Sequence, residues 1–204
     1  MQRVSVGLFG GSFNPPHVGH VLSIAYALSA GLVERVVAVP VYAHALGKSL
    51  APFAERLRMA RLAFEWLPGV EVSDIEQSLG TPSRTLETVR ALLARHPEWQ
   101  LRLVVGSDIL AELHQWHAFP EIERLAPPLV LPRPGAPERG RPGGVARLLP
   151  DVSSTEVRNL LGEWAGGGAP EAAAQLEWLV PRSVLSFIRE RGLYGAPPPP
   201  AGAQ

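Results

Sequence analysis

The chain contains no cysteine and no excess of charge of either sign. Its 204 residues include 19 Lys plus Arg and 19 Asp plus Glu. Without cysteine, the protein forms no disulfide bond and has no thiolate nucleophile or thiolate metal site. Because the charges balance, no overall electrostatic field attracts nucleic acid or an anionic membrane surface. We therefore expect neither nucleic acid nor a membrane as a partner.

Long apolar runs are also missing. No stretch approaches the roughly 18 apolar residues that a membrane-spanning helix needs. The N-terminal segment has no long apolar core and no clean cleavage signal, so it does not resemble a signal peptide. A content of 46% hydrophobic and 19% charged residues is typical of a globular protein. We expect a cytoplasmic protein, and the sequence leaves its oligomeric state open, a homo-oligomer included.

Short apolar runs alternate with segments of helical periodicity along most of the chain. Six runs predict strands: residues 4–9, 35–41, 70–74, 101–106, 128–132 and 145–150. Helices are predicted between them, and Ser83 is the predicted N-cap of the one that ends before Pro97. This alternation predicts an α/β fold, a Rossmann-like doubly wound parallel sheet with helices on both faces.

The second half of the chain predicts a change of character. Residues 133–144, "RPGAPERGRPGG", have the composition of a flexible loop. Ser153 and Glu156 form a capping-box pattern, which predicts a small helical C-terminal region from about residue 153. We expect a single domain over residues 1–194 and a disordered, proline-rich tail over residues 195–204.

The most informative stretch is "GLFGGSFNPPHVGH", residues 7–20. Gly10 and Gly11 follow a predicted strand, where glycine lets backbone N–H groups approach a ligand closely. A helix N-terminus comes next, and it offers unpaired N–H groups and a partial positive charge to an anion. His17 and His20, three residues apart, can project on one side of that helix start. Together these features indicate a polyphosphate site, made rigid by the two prolines.

Other interpretations of these residues are weaker. The glycine pair could serve tight packing alone. The two histidines could ligate zinc, but no third ligand lies nearby. The glycines do not have the spacing of the dinucleotide-binding fingerprint, and no acidic residue follows the second strand. The segment "LGKSL" is not a P-loop, because Tyr42 stands where that motif requires its first glycine.

Taken whole, "GGSFNPPHVGH" closely resembles the motif of the nucleotidyltransferases with an HxGH sequence, in particular the bacterial nicotinate mononucleotide adenylyltransferases. Further segments resemble that family in the same order: "SRTLETVRAL", "VVGSDILAELHQWH", "VLPRPG", "VSSTEVRNLL" and "LVPRSVLSFIRERGLYG". The resemblance covers nearly the whole chain. It implies an enzyme of NAD biosynthesis that joins ATP and nicotinate mononucleotide to give nicotinate adenine dinucleotide and pyrophosphate. Mg²⁺ is expected to enter with ATP, without a protein metal cage.

The resemblance also implies roles for individual residues. It assigns catalysis to His17, His20 and Arg158, which would contact the phosphates and stabilise charge in the transition state. The residues implied for ATP binding are Gly10, Gly11, Ser12, Phe13, His17, His20, Gly106, Asp108, Ser153, Ser154 and Arg158. Two of these have an ordinary alternative: Arg158 could be an exposed helix arginine, and Asp108 could be a helix cap.

On the acceptor side, the resemblance implies that Thr85, Trp116 and His117 surround the nicotinate ring. Trp116 could instead be a core side chain. The chain departs from the family after the second strand, where "VYAHALGKSL" replaces a segment with a basic residue that helps bind the acceptor phosphate. His44 and Lys48 are the nearest substitutes. Adenylyl transfer is therefore better supported than the choice of acceptor.

A second departure is Arg84, which stands where the family has tyrosine. Because both departures fall on the acceptor side, another acceptor such as nicotinamide mononucleotide or phosphopantetheine stays open. A non-catalytic nucleotide-binding module is a further alternative, although the two histidines and the late arginine are all present. A tRNA-charging enzyme is disfavoured, since the chain is short and has no evident anticodon-binding extension.

Overall fold

The computed structural model describes residues 3–43, 49–132, 150–166 and 170–199. Within these ranges, one parallel sheet of five strands has the order β3-β2-β1-β4-β5. Its strands are β1 (Val4–Gly11), β2 (Arg35–Pro40), β3 (Val70–Val72), β4 (Trp99–Gly106) and β5 (Pro128–Leu131). Neighbouring strands are all parallel, so each connection crosses over one face of the sheet.

Helices fill these crossovers and the C-terminal part of the chain. They are α1 (Val18–Ser29), α2 (Phe53–Phe64), α3 (Glu76–Leu79), α4 (Thr85–Arg95), α5 (Phe119–Leu125), α6 (Ser154–Ala165), α7 (Pro170–Leu179) and α8 (Arg182–Glu190). Among the residues that the structure describes, 3-10 turns cover Ser107–Ile109, Leu113–Gln115 and Leu193–Gly195. In the described ranges, no helix is both long enough and apolar enough to cross a membrane.

Both faces of the sheet are buried. In β2, Val36 and Ala38 join a core with α1, α2 and the C-terminal helices α6 to α8, whereas Val37 and Val39 join a second core with α4 and α5. Successive strand residues point to opposite faces, so a strand covered on both sides must be apolar throughout. This requirement explains the continuous apolar runs of the sequence and confirms the predicted doubly wound fold.

The direction of strand order reverses at β1. Leu8 pairs with Val37 of β2 on one side and with Leu103 of β4 on the other. Connections from β1 and β4 leave to opposite faces, and the crevice between them is where open α/β sheets bind ligands. The segment between β1 and α1, residues 12–17, lies at this crevice, and we call it the motif loop.

The predicted N-cap of α4 is wrong. Arg84, not Ser83, is the N-cap, and no side chain caps this helix. The Ser83 hydroxyl oxygen instead accepts a hydrogen bond of 3.1 Å from the backbone N–H of Ala43. The hydroxyl was predicted to bond within its own helix, but it bonds to the chain that leaves β2.

The remaining predictions of organisation concern the second half of the chain. The flexible loop predicted at residues 133–144 lies outside the described residues, as does the predicted sixth strand except for Pro150, which is in no strand. In the predicted tail, Ala196 is buried, and Arg189 donates to the carbonyl oxygens of Pro197 and Pro198. The single domain over residues 1–194 stays a prediction.

The packing predicts a large difference between two aromatic side chains. Phe64 of α2 is fully buried, with its ring 5.2 Å from that of Phe13, whereas Trp178 of α7 is 83% exposed. We expect Phe64→Ala to lower the free energy of unfolding by about 3–5 kcal/mol, since it leaves a cavity in the core. The control Trp178→Ala should change it by less than about 0.5 kcal/mol. Urea unfolding measures both, and equal losses would contradict the packing described.

Candidate active site

The two histidines of the motif lie in contact at the start of α1. His17 is the N-cap of that helix, and its backbone N–H donates to Nδ1 of His20 over 3.1 Å. The two rings are 3.7 Å apart between centroids. Because Nδ1 of His20 accepts a hydrogen bond, the neutral ring carries its proton on Nε2. His20 therefore presents a donor on the side away from its own backbone.

An apolar floor lies beneath this pair. The His20 ring packs edge-on against Phe13 at 5.2 Å, and Phe13 is fully buried. His17 is 2% exposed, whereas His20 is half-buried. The predicted contact of Phe13 with ATP is thus limited to its backbone, since its side chain belongs to the core. Of the two histidines, His20 is the more accessible to a ligand.

The start of α6 packs on the motif loop. The Ser153 hydroxyl oxygen accepts from the backbone N–H of Glu156 over 3.1 Å, so Ser153 is the helix N-cap, as the predicted pattern requires of it. One residue on, the Ser154 hydroxyl donates to the carbonyl oxygen of Pro15 at 2.8 Å. Of the two serines predicted for ATP binding, Ser154 thus bonds to the motif loop, and Ser153 bonds within its own helix.

Arg158 reaches the same segment. Its Nη1 donates to the carbonyl oxygen of Asn14 at 2.7 Å, and its Nη2 donates to Oγ1 of Thr155 at 3.1 Å. The side chain is half-buried rather than spread on a solvated helix face. Two hydrogen bonds hold the guanidinium group, so its orientation at the loop is fixed.

Asn14 is a functional candidate that sequence reasoning missed. Its side chain is 3% exposed, and Oδ1 accepts from the backbone N–H of Ala51 at 3.0 Å and from the Tyr194 hydroxyl at 2.7 Å. Burial raises the pKa of the Tyr194 phenol, which therefore stays a neutral donor. The available signal was the position of both residues in segments that resemble the family, "NPPH" and "RGLYG".

Arg56 is a second residue that sequence reasoning missed. This arginine of α2 is 1% exposed, and its donors reach four carbonyl oxygens: Ser12, Val41, Tyr42 and Ala51. Burial lowers the pKa of the Arg56 guanidinium. In the sequence it looks like one more charged residue of an amphipathic helix, and only the tertiary structure distinguishes it.

The glycines of the motif have different structural reasons. A Cβ on Gly10 would meet nothing within 4 Å, so this position faces open space, as a ligand site requires. A Cβ on Gly11 would approach the Phe13 ring at 2.9 Å. A Cβ on Gly19 would lie 3.0 Å from Val152 and 3.1 Å from Nδ1 of His17. Packing therefore disfavours a side chain at Gly11 and at Gly19, whereas Gly10 faces the open space that the predicted approach to a ligand needs.

Another part of the crevice holds the residues predicted for the acceptor. Arg84 precedes Thr85, the first residue of α4, and its Nη1 lies 3.2 Å from Nε2 of His117. Arginine only donates, so Nε2 accepts and neutral His117 carries its proton on Nδ1. Trp116 is half-buried and packs against the core with α4 and α5. The predicted residues His44 and Lys48 lie outside the described residues.

The end of β4 borders the crevice beside β1. Gly106 is the last residue of this strand, and Asp108 is exposed in the turn that follows. Around the motif loop, the groups offered are imidazole, guanidinium, hydroxyl and helix N-terminal N–H groups, which complement an anion. Across the described ranges, no group of three or more His, Cys, Asp and Glu residues could hold a metal ion.

The close contact of Gly19 predicts a site-specific strain. Gly162 of α6 has nothing within 4 Å of a built Cβ, so Gly162→Ala should raise the free energy of unfolding by about 0.5–1 kcal/mol through helix propensity. Gly19→Ala should show a smaller gain or none, because its methyl group would lie 3.0 Å from Val152 and 3.1 Å from the His17 ring, so these neighbours must shift. Urea unfolding measures stability, and imidazole NMR resonances should move only in Gly19→Ala. Unmoved histidine resonances in that variant would contradict the contact.

Comparisons with known proteins agree with this geometry. A sequence model described as cytidylyltransferase-like matches residues 8–160. A Myxococcus xanthus protein named a probable nicotinate-nucleotide adenylyltransferase is 40% identical over 193 residues, covering 94% of this chain and 95% of its own. A Gemmatimonas aurantiaca protein of the same name is 34% identical over 202 residues, covering 93% and 92%.

A solved structure also has this fold. The nicotinic acid mononucleotide adenylyltransferase of Plasmodium falciparum, in complex with NaAD, superposes with a TM-score of 0.79 at 15% identity, covering 96% of this chain and 99% of its own. At that identity the likeness concerns the fold alone. The sequence relatives carry the assignment further, and they confirm the resemblance found in the motifs. The chain belongs to the nicotinate-nucleotide adenylyltransferase family, within the cytidylyltransferase-like proteins.

Proposed function

We propose that this protein transfers the adenylyl group of ATP to nicotinate mononucleotide, giving nicotinate adenine dinucleotide and pyrophosphate. The observation that carries the proposal is the convergence of His17, His20, Ser154 and Arg158 on the motif loop, at the switch point of the sheet. Family membership supports the same reaction, since relatives that are 40% and 34% identical to this chain are named probable nicotinate-nucleotide adenylyltransferases.

ATP is proposed to lie along the motif loop with its phosphates toward the start of α1. Gly10 leaves room there, Ser12 begins the motif loop, and Nε2 of His20 is proposed to donate to a phosphate oxygen. Arg158 adds a fixed positive charge from α6. Gly106 and Asp108, at the end of β4, are proposed for the nucleoside part.

In the proposed reaction, an oxygen of the acceptor 5′-phosphate attacks the α-phosphorus of ATP. The new P–O bond forms as the bond to the bridging oxygen of pyrophosphate breaks, and the electron pair leaves with pyrophosphate. Such transfers need little covalent help, because positioning and charge stabilisation supply most of the rate. This accounts for a site built from donors and cations, without an evident nucleophile.

Mg²⁺ is proposed to arrive bound to ATP. The groups around the motif loop are donors and cations, which suit phosphate oxygens rather than a metal ion. Phosphate oxygens and water supply most ligands of Mg²⁺ in sites of this kind. Bound with ATP, the ion would supply positive charge to the triphosphate, and Arg158 supplies a positive charge from the protein.

The acceptor is proposed to bind beside α4 and the segment that holds Trp116. Thr85 begins α4, where uncapped backbone N–H groups can receive a carboxylate. Trp116 offers a ring for stacking on the pyridine ring. Arg84, which replaces the family tyrosine, adds a positive charge 3.2 Å from His117. A cation at this point favours nicotinate, which carries a carboxylate, over neutral nicotinamide.

The direct test uses the purified protein with ATP, Mg²⁺ and one acceptor at a time. We expect nicotinate mononucleotide to yield a dinucleotide and pyrophosphate at a higher kcat/KM than nicotinamide mononucleotide or phosphopantetheine. Turnover with another acceptor and none with nicotinate mononucleotide would contradict the proposed acceptor. Absence of pyrophosphate release with every acceptor would contradict adenylyl transfer itself.

The histidine pair gives the first kinetic prediction. His20→Ala should raise the activation free energy by roughly 2–4 kcal/mol, a fall in kcat of about 30- to 1000-fold, because a preorganised donor to the transition state is lost. His17→Ala should fall in the same range, and KM for ATP should change less. The control is His96→Ala, since His96 stacks on Trp99 at the amino end of β4, whereas the motif loop follows the carboxyl end of β1. Full turnover in both motif variants would contradict the proposed role.

The second kinetic prediction concerns selectivity for the acceptor. Arg84→Gln should lower the ratio of kcat/KM for nicotinate over nicotinamide mononucleotide by about two- to fivefold, because an exposed charge contributes modestly. The matched control is Arg90→Gln on α4, whose arginine pairs with Glu121 of α5 rather than with His117. Steady-state kinetics with both acceptors measure the ratio. An unchanged ratio in Arg84→Gln would assign selectivity to other groups.

A further inference from the structure

A buried cation and a buried anion bind the same peptide group at the end of β2. Nη1 of Arg56 donates to the carbonyl oxygen of Val41 at 2.7 Å. The N–H of Tyr42, in that same peptide group, donates to Oε2 of Glu76 at 2.9 Å. The two charges therefore act on opposite ends of one dipole, and each hydrogen bond strengthens the other.

Both side chains are removed from water. Arg56 is 1% exposed and Glu76 is 7% exposed. Burial lowers the pKa of the Arg56 guanidinium, while the Glu76 carboxylate opposes that shift and favours the charged form. Buried ion pairs seldom stabilise a fold more than apolar side chains of the same volume, so stability alone is a weak reason for this pair. A fixed geometry is a better one.

From this peptide group, hydrogen bonds lead to the two halves of the site. On the ATP side, Nη1 of Arg56 also donates to the carbonyl oxygen of Ser12 in the motif loop at 3.0 Å. On the acceptor side, Oε1 of Glu76 accepts from the hydroxyl of Thr88 at 3.0 Å. Thr88 is buried in the first turn of α4, three residues after Thr85.

We propose that Arg56 and Glu76 are positioning residues, which fix the Val41–Tyr42 peptide group and thereby hold the motif loop and the start of α4 in one geometry for adenylyl transfer. This inference rests on the proposed function, because it concerns the distance between the two substrates of that reaction. Neither side chain needs to touch a substrate. Their effect passes through Ser12 on one side and through Thr88 on the other.

The connection on the acceptor side can be removed by a substitution that keeps the shape of the side chain. Thr88→Val removes the hydroxyl that donates to Glu76 and retains the branched side chain. We expect KM for nicotinate mononucleotide to rise about fivefold or more, and KM for ATP to change less than about twofold, as for loss of one buried hydrogen bond on that side. Equal increases of both KM values, in proportion to lost stability, would overturn the inference.

The central pair can be tested by a double-variant cycle of Arg56→Lys and Glu76→Gln. Lysine keeps the charge but has no guanidinium fork for Ser12 and Val41. Glutamine keeps one acceptor for the Tyr42 N–H but has no charge. We expect each single change to lower kcat/KM by about tenfold, and the double change to lower it by much less than the product. If the double variant loses as much kcat/KM as the product of the two single losses, the inference is overturned, because independent residues behave that way.

Arg102→Lys is the matched control. Arg102 also donates to backbone carbonyl oxygens, those of Pro127 and Pro128, where β5 begins at the other edge of the sheet. We expect it to leave kcat and both KM values unchanged, whatever it does to the urea midpoint. Wild-type kinetics in all site variants, with an active wild-type enzyme, would overturn only the inference. A wild-type protein that makes no dinucleotide would overturn the proposed function and remove the basis of the inference.

Discussion

The site depends on how the motif loop is held from several directions. Asn14 accepts hydrogen bonds at its carbonyl oxygen from Arg158 and at its amide oxygen from Ala51 and Tyr194. A loop of six residues cannot satisfy so many buried polar groups by itself, and unsatisfied groups would be costly. Helices α2 and α6 and the C-terminal turn therefore supply the partners. The geometry of the histidines follows from that enclosure.

Aromatic packing completes the support from below. Phe13 has φ +45°, in the left-handed region that residues with a side chain rarely adopt. Its ring nevertheless fills the space between Phe64, Phe9 and His20. The cost of such a backbone conformation is of the order of 1 kcal/mol. Burial of a large ring contributes more than that cost. The packing of the Phe13 ring in the core and the hydrogen bonds of the motif loop therefore stabilise the same conformation of that loop.

Local and long-range information differ in what could be predicted here. The sheet follows from runs such as residues 35–40, whose apolar character reflects burial on both faces, and the Ser153 cap follows from a pattern four residues long. The cap at Ser83 failed because its hydroxyl has a distant partner, Ala43. Arg56 has the local pattern of a solvated helix arginine, and its carbonyl partners are separated from it by up to 44 residues. Propensity and periodicity carry no information about such partners.

The hydrogen bond between Tyr194 and Asn14 joins positions separated by 180 residues. During synthesis the motif loop leaves the ribosome long before Tyr194, because the two are separated by 180 residues. The early α/β segments can therefore pair and pack while the loop still lacks Tyr194 and Arg158. A growing chain can therefore complete the contacts of the motif loop only once Tyr194 has emerged from the ribosome.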